Sequence, residues 1–109
     1  MRPNPLISIC IPSYNGGDYF KKTLNLIVPY LNENYELIIS DDCSEDGTYQ
    51  EALHVANECS YVRSYQNLRN IGMDKNFHQA VKLARGKYVW FCGQDDFLGE
   101  EIIKIVPEI

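Results

Sequence analysis

Leu6-Ile7-Ser8-Ile9-Cys10-Ile11-Pro12-Ser13-Tyr14-Asn15-Gly16-Gly17-Asp18 is the stretch from which the rest of the chain can be read. Leu6 to Ile11 is apolar enough for a central strand that ends near Pro12. Asn15-Gly16-Gly17 then supplies turn residues before Asp18, whose carboxylate can cap a helix. In that helix, which runs to about Pro29 or Leu31, Phe20, Leu24, Ile27 and Leu31 follow one another at helical spacing and form one apolar face to set against a sheet.

Past the polar break Asn32-Glu33-Asn34 the unit recurs. Tyr35 to Ser40 reads as a second strand that delivers Asp41-Asp42 to its carboxyl end, and Ser44 to Gly47 forms a turn. Ala52, Val55, Ala56 and Cys59 then make the stripe of a second helix. Tyr61 to Gln66 is a third strand, weakened by Arg63. After the polar loop Asn67 to Gly72, the residues Phe77, Ala80, Val81 and Ala84 mark a third helix, for which Gly86 is the expected C-terminal glycine. Lys87 to Cys92, apolar and aromatic, reads as a buried fourth strand and leads into Gln94-Asp95-Asp96. Glu100 to Val106 looks like the start of a further helix, cut short by Pro107.

Strands that alternate with helices pair in parallel through right-handed crossovers, so their carboxyl ends share one edge of the sheet. The expected fold is therefore α/β, a Rossmann-like three-layer sandwich with a mostly parallel sheet. A strand order of 3-2-1-4 would open the ligand crevice between strands one and four, where Tyr14 and Asp95-Asp96 would face each other.

The chain has 109 residues, 45% of them hydrophobic, enough for the core of one domain. A net charge of −5 argues against binding a phosphate backbone as the main activity. The apolar run Leu6 to Ile11 is too short for a signal peptide or a membrane span. Cys10, Cys43, Cys59 and Cys92 are widely separated, with no Cys-x-x-Cys pair, and read as reduced packing residues of a cytoplasmic protein rather than zinc ligands. His54 and His78 fall on the polar sides of their helices and carry no assigned chemistry. Without Gly-x-Gly-x-x-Gly or Gly-x-x-x-x-Gly-Lys, dinucleotide oxidoreduction and P-loop hydrolysis are poor readings. A response-regulator module would end its first strand in acids, not in Ile11-Pro12-Ser13-Tyr14.

The chemistry sits at the strand ends. Adjacent carboxylates there suit Mg2+ or Mn2+ bridging to phosphate oxygens, and because neighbouring residues on an extended segment point apart, Asp96 is assigned to the metal and Asp95 to sugar or ribose hydroxyls. Both acid pairs can equally open turns. Tyr14, placed by Pro12, can stack on a planar ligand or pack against its own loop. Arg69 and Lys75, which flank Asn70-Ile71-Gly72, can contact a base or a diphosphate or stand in solvent.

The ordered series Ile9 to Asn15, Asp41 to Thr48, Asn70-Ile71-Gly72, Ala84 to Tyr88 and Gln94-Asp95-Asp96 resembles family 2 glycosyltransferases and covers nearly the whole chain. The resemblance implies the A-type glycosyltransferase fold and a nucleotide-diphosphate sugar as donor. It implies that Pro12 and Tyr14 line the nucleobase pocket, that Asp42 bonds the base, that Asp41 supports that turn, and that Gln94-Asp95-Asp96 stands for an Asp-x-Asp-like metal motif. Gln94 replaces the first acid of its commonest form. A Gln there is similar to transferases that build bacterial surface polysaccharides.

Such enzymes transfer the sugar with inversion to a hydroxyl of a carbohydrate or lipid-linked acceptor, which would bring a cytoplasmic enzyme to the inner face of the membrane. Their carboxylate base and acceptor pocket lie beyond the metal motif, here beyond Ile109. The chain is thus expected to be a truncated, donor-binding portion, able to self-associate through apolar surface that the other half would cover. A noncatalytic nucleotide-sugar-binding or interaction domain is the alternative.

Overall fold

In the computed structural model, which describes residues 4–94, four parallel strands form one sheet. They are β1 (Ile7–Ser13), β2 (Tyr35–Asp41), β3 (Val62–Gln66) and β4 (Tyr88–Phe91), in the order β3-β2-β1-β4. The helices α1 (Gly17–Ile27), α2 (Thr48–Glu58) and α3 (Met73–Leu83) connect them, and one 3-10 turn at Val28–Tyr30 prolongs α1. The order is the expected one, with β1 between β2 and β4. Asp95, Asp96 and the expected helix at 100–106 lie outside the described residues.

Strand alternation sorts the side chains into two layers. Ile7, Ile9 and Ile11 of β1, Tyr35, Leu37 and Ile39 of β2 and Val62 of β3 pack with Phe20, Leu24 and Ile27 of α1 and Ala52 of α2. The opposite face carries Ser8, Cys10, Glu36, Ile38 and Ser40, all buried, and is covered by α3 through Ala80, with Phe77 and Leu83 beside it. The first layer is apolar up to Ile11 and Ile39 and turns polar only at the strand ends, with Ser13 and Asp41; the other mixes apolar contacts with buried polar groups along its length.

Four expectations change. β1 continues through Pro12 to Ser13, because β2 pairs with it as far as Ser13↔Asp41. Asp18 does not cap α1: Gly16 takes the cap position, and the hydroxyl of Thr48 accepts the Gly16 and Gly17 N–H groups. Asp18 lies instead in the first turn, where the helix dipole favours a negative charge. Gly86 is not a left-handed cap, since α3 ends at Leu83 with Ala84 extended. A side chain at 86 would meet Ser8 N at 2.7 Å, so glycine there permits β1 and the turn into β4 to touch.

The fourth change concerns β4, which is not buried. Tyr88, Val89 and Phe91 are 55%, 42% and 42% exposed. β4 is the edge of the described sheet, and an apolar, aromatic run fits a half-covered edge as well as a buried centre. On the α3 side the Phe77 and Phe91 rings meet edge to face at 4.9 Å, and on the other Trp90 packs against the main core cluster.

Candidate functional site

The sheet splits where Pro12 stands. β1 and β4 pair from Ile7↔Tyr88 to Cys10↔Phe91, and the Cys92 N–H donates to the Cys10 carbonyl. The next β1 group with the same orientation is the nitrogen of Pro12, which carries no hydrogen and cannot extend the ladder. On its other side β1 stays paired with β2, and the Asp42 N–H donates to the Ser13 carbonyl. The result is a crevice of about 460 Å³ at the carboxyl edge, large enough for a nucleoside-sized ligand, with Pro12, Tyr14, Asp42, Asn70, Asn76 and Gln94 among its lining residues.

Asp42 fixes one wall. It is 2% exposed, and its Oδ1 accepts hydrogen bonds from Asn67 Nδ2 at 3.1 Å and Ile71 N at 2.8 Å, while Oδ2 accepts one from Gly72 N at 2.9 Å. The loop 67–72 is thereby held against the end of β2. Gly72 leaves it at φ 91° and ψ 158°, a conformation that excludes a side chain, and its carbonyl accepts the Asn76 N–H as α3 starts.

Asp41 points away from the crevice and is fully buried. Its Oδ1 accepts from the hydroxyls of Ser13 and Ser44, and its Oδ2 from Ser44 N and Gln66 Nε2. It binds the ends of three strands and the following turn together. That turn is also tied to the β1–α1 loop, because Ser44 Oγ accepts the Asn15 N–H and Asn15 Oδ1 accepts the Glu45 N–H, each at 2.8 Å.

Asn76 was missed by sequence reasoning. It is 1% exposed, receives hydrogen bonds at Oδ1 from Ser40 Oγ (2.8 Å) and Asn67 Nδ2 (2.9 Å), and donates from Nδ2 to the Ser40 carbonyl (2.8 Å). The signal was present: Asn76 sits beside Phe77 and one turn before Ala80, on the inward stripe of α3, where an amide is tolerated only if its partners are built in.

Of the sequence-predicted residues, Pro12, Tyr14 and Asp42 thus meet at one crevice, Asp41 braces it from behind, and Gln94 closes the side toward β4. Arg69 and Lys75 are not among the crevice-lining residues; each borders a separate surface hollow, Arg69 with Asn67 and Leu68, Lys75 with Asp74 and His78. Asp95 and Asp96 lie outside the described residues. Among the described residues no cluster of three or more His, Cys, Asp or Glu side chains could hold a metal ion. None of the four cysteines is in a disulfide, and no described helix is long and apolar enough to cross a membrane.

Comparison with known proteins agrees with this fold. The chain is 40% identical over 105 residues to the abequosyltransferase RfbV of Salmonella typhimurium, covering 93% of this chain and 31% of that protein. A crystal structure of Staphylococcus aureus TarS 1-349 in complex with UDP superposes with a TM-score of 0.85 at 28% identity, over 94% of this chain and 31% of that one. The mannosyltransferase PcManGT from Pyrobaculum calidifontis, determined with GDP-Man and Mn2+, shares the fold with a TM-score of 0.79 at 18% identity, over 95% of this chain and 33% of that one. The chain therefore spans about a third of the length of these relatives. Residues 8–108 match the glycosyl transferase family 2 model, and the chain belongs to that family.

Proposed function

We propose that this chain is the donor-binding portion of an enzyme that transfers a sugar, with inversion, from a nucleotide-diphosphate sugar to an acceptor hydroxyl in bacterial surface polysaccharide synthesis. The observation that carries the reading is the crevice itself. A split in a parallel sheet places Pro12, the 43% exposed Tyr14 ring and the Asp42 carboxylate around one opening, beside the strand that leads into Asp95-Asp96. Tyr14 offers a face for a nucleobase. Asp42 Oδ2 accepts one hydrogen bond from the described residues and has capacity for a second, from a base N–H.

Asp95 and Asp96 are hard oxygen donors, the type that Mg2+ and Mn2+ accept. In this reading Asp96 would hold the ion and Asp95 would bond ribose or sugar hydroxyls. The ion, when bound, supplies positive charge to the departing diphosphate. Arg69 and Lys75 bring cations to the outer side of the 67–75 segment, where an extended donor or acceptor could reach them.

Calorimetric titration with uridine, thymidine, guanosine and cytidine diphosphates, with and without Mn2+, tests this. Binding of one of them, tightened by Mn2+, is expected, and binding of none overturns the donor-site reading.

A further inference from the structure

Where Pro12 interrupts the β1–β4 ladder, a side chain takes over the pairing. Gln94 Oε1 accepts the Tyr14 N–H at 2.7 Å, and Gln94 Nε2 donates to the Tyr14 carbonyl at 3.0 Å. The amide makes the two bonds that a neighbouring parallel strand would supply to Tyr14 from two of its residues, and its orientation is fixed by its partners, since only the oxygen can face the N–H and only the nitrogen the carbonyl. Glutamate could not do this, because a carboxylate has no donor for the carbonyl. Asparagine is one methylene too short. Gly16 is part of the device: a Cβ there would lie 2.8 Å from Gln94 Oε1 and 2.7 Å from the Phe20 Cβ.

We propose that Gln94 is a positioning residue, a side-chain rung that clamps the Tyr14 main chain across the mouth of the crevice. It thereby fixes the separation between the stacking wall at Tyr14 and the segment that enters Asp95-Asp96. Both ends of its amide are engaged by the backbone, so the first position of the Gln94-Asp95-Asp96 motif serves the crevice wall and not the cation. The inference rests on the donor-site reading only for its effect on ligand affinity; the clamp is readable without ligand.

Two variants of the full chain test it, Gln94→Glu and Gln94→Ala. Amide hydrogen exchange followed by NMR is the first readout. The Tyr14 N–H should exchange about ten-fold faster in Gln94→Ala, roughly the loss of one hydrogen bond, while Ile9 and Ile39 in the core strands keep their rates and certify the fold. Unchanged Tyr14 exchange in both variants overturns the clamp.

Calorimetry with the free nucleoside, and with its diphosphate plus and minus Mn2+, is the second readout. The clamp predicts that Gln94→Glu, which sets a carboxylate oxygen against the Tyr14 carbonyl, weakens nucleoside and diphosphate binding alike by about ten-fold. A cation ligand at this position would give the reverse result, nucleoside affinity unchanged and Mn2+-dependent diphosphate binding kept or tightened, which would also overturn the proposal. Should the unaltered chain bind no nucleotide, the donor-site reading fails, and Tyr14 exchange alone decides the clamp.

Discussion

Glu36, near the start of β2, and Asp42, one residue past its end, are both buried carboxylates, at 0% and 2% exposure, yet they are satisfied in different ways. Glu36 receives a counter-charge: Arg63 Nη2 lies 2.7 Å from its Oε1, while Ser8 Oγ and Arg85 N donate to its Oε2. Asp42 receives only neutral donors from the described residues, two backbone N–H groups and the Asn67 amide. The first group is sealed between β1, β2, β3 and the turn into β4. The second faces a crevice. Glu36 is thus paired with an internal counter-charge, whereas Asp42 is held by neutral dipoles at the edge of a crevice, and the two ends of β2 differ in what surrounds their acids.

The largest effect is expected at the sealed end. Glu36→Ala leaves the partly buried Arg63 guanidinium with only the Leu83 carbonyl and the Tyr65 hydroxyl as acceptors among the described residues, and takes the acceptor from Ser8 Oγ and Arg85 N, so it should lower unfolding free energy in urea by about 3 kcal/mol. The double variant Glu36→Leu with Arg63→Met should recover most of that loss, because an apolar pair of similar size removes both charges together. A double variant as unstable as the single one would mean that the network is needed for its geometry and not for charge balance.

The same site sets the acid response. Burial pushes the Glu36 carboxyl up, but the hydrogen bonds from Ser8, Arg85 and Arg63, with the Arg63 charge, outweigh it and hold the group below the ordinary glutamate value. A group with a lowered folded pKa contributes stability that is complete above its unfolded value and is lost as pH falls through the folded one. Urea midpoints should therefore fall on acidification below the ordinary carboxylate range in the parent chain, and fall less steeply in the Leu/Met variant.

At the open end the expected loss is smaller. Asp42→Asn keeps the shape but turns an amide toward the Gly72 N–H, so that donor loses its acceptor at a cost of about 1 kcal/mol. Nucleoside affinity should fall with it, since the 67–72 loop forms a wall of the crevice. If stability falls and affinity does not, Asp42 belongs with Glu36 as a purely structural acid.

This contrast explains what could be read in the sequence. The four strands, the three helices and the layer built on Ile7, Ile9, Ile11, Leu37 and Ile39 follow from short-range periodicity, and with parallel pairing so does the delivery of Pro12, Tyr14 and Asp42 to one edge. Pairings between distant polar residues do not. Arg63 reads as an interruption of β3 until the register sets it beside Ile38 and within reach of Glu36, 27 residues earlier. Asn76 reads as a flaw in a helix stripe until Ser40 and Asn67 are seen around it. Gly86 reads as a helix stop, though its role is to let Ser8 approach. In each case the reason lies in a contact between segments, which local pattern does not encode.

Cys10 lies between the two ends on the same face, fully buried against Ile38 and Ala80, and gives the smallest effect and the sharpest comparison. Burial, and then the negative charge of Glu36, pushes its thiol up to about 12, so it is protonated and inert at neutral pH while the face stays closed. Cys10→Ala should cost only about 1 kcal/mol. In the parent chain, alkylation followed by peptide-resolved mass spectrometry should modify the half-buried Cys43 and Cys59 well before Cys10, which reacts only through opening. Glu36→Ala should accelerate Cys10 labelling far more than Asp42→Asn, since the first loosens the sheet beneath α3 and the second frees only the loop that leads into it. Equal acceleration by both would mean that the α3 layer opens as one unit, and that the two ends differ in the chemistry they present but not in how firmly they hold the fold.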